Sequence, residues 1–296
     1  MILLLGATGY VGNAIAQQLH IRNIEYTTAS VRFPLDEQQF VRLLINENID
    51  TIINSSGYVG VPNVDACEHE INKQPVLEGN AFLPASIASI CKKYQIPLIH
   101  VSSGCIFNDA NCERGETPST LFTEQCNHNF GFAAATSSWY SRSKSLAEQL
   151  LQDEAFVCRL RIPFDDAPSP RNYLMKIINY DVLLNATNSF TYLPEFARNV
   201  VYIASNSYKF RMSPFNLTQP GHLNTQQVVA MLKEKNLIKD KLYFKSIDEF
   251  NKTVAAPRSN CVLDASKAIA HKLHMTPIED AMMMAIDQLS FNINNK

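Results

Sequence analysis

No apolar run in this 296-residue chain approaches the roughly 20 residues that are needed to span a bilayer. The apolar start, Met1 to Leu5, lacks a basic region and stops at Gly6, so it does not have the form of a secretory signal. We therefore predict no membrane association. The formal net charge of only −2 argues against a broad nucleic-acid-binding surface, and no nucleic-acid partner is expected.

Paired cysteines are also missing. The seven cysteines are odd in number and scattered, and none belongs to a C-x-x-C pair. This arrangement argues against structural zinc, and we predict no metal site. Free thiols are typical of a reducing compartment, so a cytoplasmic location is expected. The composition that remains, with 46% hydrophobic and 18% charged residues, is typical of a packed globular protein.

Buried-strand patterns alternate with helical spacing through the first half of the chain. Strands are expected near residues 2–5, 25–30, 51–54, 99–102 and 157–161. Helices are expected near 11–20, 36–48, 80–94 and 138–152, and residues 108–136 have a loop-like composition. This order predicts an α/β fold, a Rossmann-like doubly wound parallel sheet that binds ligands at the carboxyl ends of its strands.

The alternation weakens after Pro163. Prolines at 163, 168 and 170 interrupt the chain, and helical patterns follow near 171–180, 194–206, 224–235 and 278–290. We assign residues 1–162 to a dinucleotide-binding Rossmann domain and residues 163–296 mainly to a smaller C-terminal substrate lobe. Whether some of the later segments return to the first domain stays open.

A glycine-rich turn follows the first predicted strand. Its glycines stand at i, i+3 and i+6, a spacing that permits a tight turn and the close approach of a pyrophosphate to the start of a helix. The segment predicts dinucleotide binding, although a tight strand-to-helix turn without a ligand can carry the same pattern. Its candidate cofactor-binding residues are Gly6, Thr8, Gly9, Tyr10, Val11 and Gly12.

The second strand ends without the acidic residue that usually holds the ribose hydroxyls of NAD. Arg32 lies there instead and can pair with a 2′-phosphate, which favours NADPH over NADH; a solvated surface arginine is the alternative. Further candidate cofactor-binding residues follow the third strand and precede the next helical pattern: Asn54, Ser55, Ser56, Gly57 and Asn80.

A tyrosine and a lysine lie four residues apart in Tyr140-Ser141-Arg142-Ser143-Lys144, on one face of the predicted helix. A nearby ammonium favours the phenolate, which makes Tyr140 a candidate acid/base, and Lys144 can also bind the cofactor ribose. Ser103, at the end of the preceding strand, is placed to donate to a substrate carbonyl. The Y-x-x-x-K pattern alone also occurs as an exposed helical pair.

The chain resembles an extended short-chain dehydrogenase/reductase, and within that family the bifunctional 3,5-epimerase/4-reductases of plant-type rhamnose synthesis. The matching segments are GATGYVG at 6–12, PNVDACE at 62–68, GCIF at 104–107, YSRSK at 140–144, PRNYLMK at 170–176, APRSN at 256–260 and LDASK at 263–267. They extend through most of the chain. The resemblance implies a nucleotide sugar whose C4 ketone acidifies the protons on C3 and C5.

The resemblance also implies the roles of several residues. Cys105 and Lys176 stand where such enzymes carry the pair of groups that exchange the C3 and C5 protons, and the two groups are expected to tune each other. Arg258 stands where they hold the nucleotide diphosphate, and Asn172 is expected to help hold the sugar nucleotide. Without the resemblance, Cys105 reads as a small buried apolar residue and Lys176 as a solvated helix residue.

The expected activity is NADPH-dependent, with NADH left open. It consists of epimerisation at C3 and C5 and reduction at C4 of UDP-4-keto-6-deoxyglucose, giving UDP-β-L-rhamnose. A separate 4,6-dehydratase would supply the substrate, and a homodimer formed through helices 80–94 and 138–152 is expected. The alternatives are a dTDP-4-dehydrorhamnose reductase, a GDP-fucose synthase-like enzyme, and a non-catalytic nucleotide-binding regulatory subunit.

Overall fold

The predicted strands of the first half of the chain are present in the computed structural model, which describes residues 1–294. Their ends differ from the predicted ends by at most one residue. The strands are β1 (Ile2–Leu5), β2 (Tyr26–Ala29), β3 (Thr51–Asn54), β4 (Leu98–Ser103), β5 (Leu121–Phe122), β6 (Phe156–Leu160), β7 (Pro163–Phe164), β8 (Val182–Leu183), β9 (Thr187–Asn188), β10 (Thr191–Tyr192), β11 (Pro214–Asn216), β12 (Leu223–Asn224), β13 (Leu242–Tyr243) and β14 (Val262–Leu263).

Helices follow most of the sheet strands, and several begin at a side-chain cap. Asp36 and Ser138 accept hydrogen bonds from the backbone N–H groups of Gln39 and Ser141, which satisfies donors that the first helical turn leaves free. The helices are α1 (Tyr10–Ile21), α2 (Glu37–Asn46), α3 (Glu70–Leu77), α4 (Leu83–Tyr94), α5 (Ala110–Glu113), α6 (Trp139–Leu151), α7 (Tyr173–Asn179), α8 (Leu193–Ser205), α9 (Thr225–Glu234), α10 (Ile247–Asn251), α11 (Ser266–Ala270) and α12 (Ile278–Asn294).

The helix predicted to begin at Asn80 in fact begins ten residues earlier, at Glu70. It runs through α3, a π-helical segment at Glu78–Phe82, and α4, so Asn80 lies inside it. The wider π turn disrupts the 3.6-residue periodicity on which the prediction rested. Residues 108–136 likewise contain α5 and β5, which are too short to produce a periodic pattern.

Six parallel strands form the central sheet in the order β2-β1-β3-β4-β6-β11. The chain moves outward from β1 to β2 and then returns to build the other half from β3, so the strand order reverses between β1 and β3. In open α/β sheets, ligands bind outside the carboxyl ends of the strands at this point. The α/β, Rossmann-like prediction is confirmed.

Apolar layers cover both faces of this sheet. One layer joins Ile15 and Leu19 of α1 to Phe196 and Val200 of α8, and the other joins α2 and α4 to the opposite face. A third apolar cluster, built from α7, α9 and α12, lies within the second part of the chain. Because α8 and β11 follow residue 162 yet pack on or in the sheet, the two parts interleave along the sequence. The boundary at residue 162 stays a prediction.

Within residues 1–294, no helix combines the length and the apolar character that a membrane crossing requires. The helices expected to form the dimer, α4 and α6, carry exposed apolar side chains at Tyr94 and Leu150. The homodimer stays a prediction.

Candidate active site

The glycine turn closes tightly against the end of β3. Gly6 has a φ of +78°, and a Cβ built on it would lie 2.6 Å from the Ser56 backbone N. A Cβ on Gly12 would collide with the Gly6 carbonyl oxygen and lie 2.7 Å from Ser55 Oγ. Gly9 caps α1 without any side-chain hydrogen bond, so the first-turn N–H groups of α1 are available to an anion. These features fit a dinucleotide pyrophosphate.

The remaining candidate residues of the glycine turn and Arg32 lie at the same edge of the sheet. Thr8 and Gly9 are exposed at the tip of the turn, and Tyr10 and Val11 begin α1. Arg32 is an exposed residue shortly after β2, at the same carboxyl edge of the sheet as the glycine turn. Within residues 1–294, the exposed Arg32 guanidinium forms no salt bridge with a carboxylate, and the expected contact with a 2′-phosphate stays a prediction.

The segment after β3 is held in place by side chains that the sequence marked as cofactor candidates. Ser55 Oγ donates to the Leu5 carbonyl at 2.7 Å, and Asn54 Oδ1 accepts from Ser56 N and Oγ at 3.0 and 2.6 Å. Asn54 Nδ2 lies 3.3 Å from His100 Nδ1 in β4. These bonds join the ends of β1, β3 and β4 into one rigid edge.

Asn80 connects this edge to α6 from inside the π-helical segment. Its Oδ1 accepts from Tyr58 N at 2.7 Å, and its Nδ2 donates to Tyr58 O at 2.9 Å and to Ser143 Oγ at 3.0 Å. A Cβ on Gly57 would lie 2.9 Å from Asn80 Oδ1 and 3.6 Å from Lys144 Nζ. Asn80 therefore holds the segment that follows β3 beside Lys144. A side chain at position 57 would crowd both Asn80 and Lys144.

The reductive residues converge between β4 and α6. Ser103 ends β4, and Tyr140 and Lys144 lie one turn apart on α6. The Nζ atom of Lys144 donates to the Val101 carbonyl at 3.3 Å. Burial raises the pKa of Tyr140 above its ordinary value. Burial lowers the pKa of Lys144, while the charges of Cys105 and Glu148 raise it. Burial thus favours the neutral form of both groups, and the charges of Cys105 and Glu148 act against this effect at Lys144.

Cys105 lies next to these residues in a small apolar cluster with Phe107, Cys261 and Leu263, against which Tyr140 packs. Its side chain is 8% exposed, and its backbone N–H donates to Ser103 Oγ at 3.3 Å. Burial raises the pKa of the Cys105 thiol, whereas hydrogen bonds with Ser103 and Ser141 act in the opposite direction. The thiol is therefore buried against the reductive residues and contacts two hydroxyl groups.

Lys176 approaches the site from α7 and is half-buried. Burial lowers its pKa below the ordinary value, and the charges of Arg171 and Arg258 lower it further. The charge of Arg171 also lowers the pKa of Tyr140, so Lys176 and Tyr140 have a charged neighbour in common. The leading causes of the two pKa shifts are other groups, and the expectation that Cys105 and Lys176 tune each other stays a prediction.

Arg258 is engaged by a carboxylate that the sequence did not suggest. Its Nη1 and Nη2 atoms donate to Asp65 Oδ1 and Oδ2 at 2.9 and 3.0 Å, and Ala256 N donates to Asp65 Oδ1 at 2.9 Å. The guanidinium lowers the pKa of Asp65, against the opposing effect of its burial. Arg258 thus ties the 255–260 segment to the turn after β3.

Asn172 is fully buried and caps α7. Its Oδ1 accepts from Leu174 N at 3.1 Å, and its Nδ2 donates to the carbonyls of Asp165 and Ala167 at 2.7 and 2.8 Å. Both N–H groups of the amide are used within the chain. Asn172 therefore shapes the start of α7, which carries Lys176, and its expected part in holding the sugar nucleotide stays a prediction.

A buried ionic network below Lys144 was missed by the sequence analysis. Glu148 accepts from Ser102 Oγ at 2.6 Å and from Arg159 Nη2 at 2.6 Å, and His128 Nε2 lies 3.4 Å from its carboxylate. The charge of Arg159 holds the pKa of Glu148 at about 2, against the effect of burial. Glu148 follows Lys144 by four residues on the same helix face, a spacing that could have suggested the link.

Glu148→Gln is expected to lower the free energy of unfolding by about 3–5 kcal/mol at neutral pH, because Arg159 would be left buried without a counter-charge. The folded-state pKa of Glu148 is depressed from 4.5 to about 2, so its contribution is present above pH 4.5 and is lost as the pH falls towards 2. Urea unfolding of both proteins at neutral pH and at about pH 3 measures the difference, which should shrink in acid.

Glu154→Gln is the matched control, because Glu154 pairs with Lys92 on the surface at 2.6 Å. This substitution should change stability little at either pH. An equal loss of stability in both variants would show that the buried network contributes no more than a surface pair.

The comparison with protein families decides the assignment. The profile of the RmlD substrate binding domain matches residues 1–184, which is more than half of the chain. The chain belongs to this family. The RmlD family lies within the extended short-chain dehydrogenase/reductases, so the resemblance carried by the glycine turn and the Tyr140–Lys144 pair is confirmed.

Relatives of this RmlD-family chain include plant enzymes. The chain is 29% identical over 95% of its length to an Arabidopsis thaliana bifunctional dTDP-4-dehydrorhamnose 3,5-epimerase/reductase, of which it covers 90%. It is 28% identical over 90% of its length to an Arabidopsis thaliana trifunctional UDP-glucose 4,6-dehydratase/UDP-4-keto-6-deoxy-D-glucose 3,5-epimerase/UDP-4-keto-L-rhamnose reductase, of which it covers 38%.

Solved structures share the whole architecture. The UDP-rhamnose synthase of Acanthamoeba polyphaga mimivirus superposes with a TM-score of 0.87 at 22% identity, over 97% of this chain and 98% of the other. A Bacillus anthracis dTDP-4-dehydrorhamnose reductase in complex with NADP superposes with a TM-score of 0.76 at 15% identity, over 98% of each chain. At these identities the similarity establishes the Rossmann-like fold.

Proposed function

We propose that this protein is a nucleotide-sugar 3,5-epimerase/4-reductase that converts UDP-4-keto-6-deoxyglucose to UDP-β-L-rhamnose. The observation that carries the proposal is the placement of Cys105 against Ser103 and Tyr140, which puts a thiol beside the groups expected to bind a ketone. The Arabidopsis relatives align with 95% and 90% of this chain, and the activities in their names support both the reductase step and the epimerase step.

The proposed cofactor is NADPH, which supplies a hydride to C4 of the sugar when it is bound. The glycine turn and the start of α1 would hold the pyrophosphate, Lys144 the nicotinamide ribose, and Arg32 the 2′-phosphate. The Arg32 assignment supports NADPH over NADH because no acidic residue follows β2 before Asp36.

In the proposed reduction, Ser103 and Tyr140 bind the C4 carbonyl oxygen. Tyr140 donates its phenolic proton to that oxygen as negative charge develops on it, and Lys144 stabilises the resulting phenolate. Burial keeps Tyr140 protonated before the reaction, while the charges of Cys105 and Glu148 favour the ammonium form of Lys144, which is the form that stabilises a phenolate. Asn80 keeps the strand edge and α6 in register.

In the proposed epimerisation, one base removes the proton from C3 or C5 and a second group returns a proton to the opposite face. The enolate formed between these steps carries its charge on the C4 oxygen, which the same two hydroxyl groups stabilise. Cys105, on the β4 side, and Lys176, on α7, stand on different elements around the site. This separation suits a reaction that needs protons on both faces of one ring.

The dTDP-linked sugar is the second candidate substrate, because the bifunctional Arabidopsis relative is named for it. The test incubates the protein in D2O with each 4-keto-6-deoxy sugar nucleotide, and with NADPH or NADH in parallel, and analyses the products by NMR. We expect UDP-β-L-rhamnose labelled at C3 and C5, formed faster with NADPH. Reduction without label would remove the epimerase step, and no turnover with either nucleotide would favour a non-catalytic binding subunit.

A further inference from the structure

Arg161 is a buried cation whose hydrogen-bonding partners are all neutral. It directly follows β6, and 6% of the residue is exposed. Its Nε and Nη2 atoms donate to Asn188 Oδ1 at 3.2 and 2.6 Å, and Nη2 also donates to the Ser259 carbonyl. No carboxylate forms an ion pair with Arg161 anywhere in residues 1–294. Its positive charge is therefore fixed in position, and no carboxylate in contact with it neutralises this charge.

The sheet and the 255–263 segment fix this charge beside the turn that carries Cys105. In the register of β4 and β6, Ser103 pairs with Leu160, so Arg161 follows on the strand next to Gly104. The acceptor of Arg161, Asn188 Oδ1, also accepts from Cys261 N at 3.1 Å, and Cys261 Sγ donates to the Gly104 carbonyl at 3.3 Å. A continuous chain of contacts thus leads from the guanidinium to the turn.

The unneutralised charge acts on both proton-transfer groups. Burial raises the pKa of Cys105 and of Tyr140, and the Arg161 guanidinium lowers both. Other charged groups also act on them: Lys144 lowers the pKa of Cys105, whereas Cys105 and Cys67 raise the pKa of Tyr140 and Arg171 lowers it. Cys261 also faces the turn, and burial raises its own pKa. Arg161 therefore favours the charged form of each catalytic candidate.

The nearby Arg159, which lies in β6 itself, provides an internal contrast. Arg159 is also buried, but Glu148 lies 2.6 Å from its Nη2 atom and neutralises it. A fold that needed Arg161 only for packing would be better stabilised by a similar partner or by an apolar side chain, because burying an unpaired charge costs free energy. The neutral acceptors of Arg161 bind its Nε and Nη2 groups without cancelling its positive charge.

We propose that Arg161 is a positioning residue of the site, which stabilises the thiolate of Cys105 and the phenolate of Tyr140 by its unneutralised charge. The inference rests on the proposed function, since the two anions matter only if these groups move protons. The guanidinium itself is fixed by Asn188 and Ser259 and takes no part in proton transfer.

The test measures the pH dependence of alkylation at Cys105 by iodoacetamide, resolved by mass spectrometry, without substrate or cofactor. Arg161→Gln keeps an N–H donor for Asn188 and removes the charge, so the midpoint of the Cys105 profile should rise by about one pH unit. Arg161→Lys keeps the charge and should titrate close to the wild-type protein. Cys126, measured in the same samples, is the internal reference and should not move.

Asn188→Asp gives a second test that leaves Arg161 in place. The new carboxylate has the shape of the amide and would neutralise the guanidinium, so it too should raise the Cys105 midpoint. If Arg161→Gln does not fold, the Cys105 midpoint measured in Asn188→Asp tests the inference instead. An unchanged midpoint in a folded neutralised variant overturns the inference. Turnover by the wild-type protein is judged separately, so a failure of the proposed function is distinguishable from a failure of the Arg161 assignment.

Discussion

Tyr140→Phe is expected to lower the rate of ketone reduction by about 10²–10⁴-fold, the usual contribution of a positioned acid. The substitution removes one hydroxyl group and keeps the ring that packs against the Cys105 cluster. Because burial keeps this phenol protonated, its proton is available when charge develops on the C4 oxygen. Single-turnover oxidation of NADPH with a substrate that is already epimerised measures the step directly.

Tyr202→Phe is the matched control for this result. Tyr202 lies on α8, is 38% exposed and packs edge-on against Phe210, away from the site. Its variant should reduce the ketone at the wild-type rate. A Tyr140→Phe protein with unimpaired reduction would remove Tyr140 from the proposed chemistry and leave Lys144 and Ser103 without their acid.

Cys105→Ala is expected to suppress deuterium exchange at the carbon whose proton it moves by about 10²–10⁴-fold, while reduction of an epimerised substrate continues. The loss of one sulfur from a small cluster should leave the fold intact, since the backbone bond from Cys105 N to Ser103 Oγ remains. NMR of the recovered 4-keto sugar in D2O, without cofactor, isolates the exchange from the reduction.

Cys126→Ala serves as the control for the thiol. Cys126 packs against the same cluster, and its Sγ lies 3.5 Å from Thr123 Oγ1. Its variant should exchange both protons normally. Wild-type exchange rates at C3 and C5 in Cys105→Ala would show that another group moves these protons, and the role of Lys176 would then need to be tested at both carbons.

Local patterns were sufficient to predict five of the six strands of the central sheet and the glycine turn. The glycine spacing at Gly6, Gly9 and Gly12 and the Tyr140–Lys144 spacing each depend on neighbours within a few residues, which sequence periodicity records. The helix that contains Asn80 was misjudged because its π-helical segment departs from that periodicity. Local sequence signals thus predicted the regular strands and the glycine turn well, but they misplaced the start of the helix that contains a π-helical segment.

Contacts between distant residues could not be predicted in the same way. Asp65 and Arg258 are 193 positions apart, and neither residue alone signals the other. Arg161 and Asn188 meet only because β6, β9 and the 255–263 segment come together in space. Two arginines in the apolar pattern of residues 156–161 could have suggested buried charge, since arginine is rarely buried without partners. The pattern could not reveal that only Arg159 would find a carboxylate.

The pairing of β14 with β5, and the bond from Cys261 to Gly104, have a consequence for biosynthesis. The Rossmann strands up to β6 leave the ribosome long before residues 256–263 are translated, and domains generally fold from the N-terminus as they emerge. Until then, the surface of Cys105, Phe107 and Phe122 that these residues later cover has no partner from the C-terminal part of the chain. The nascent protein therefore forms the first five strands of its sheet before β11 joins them, and it covers this surface only after residues 256–263 have been translated.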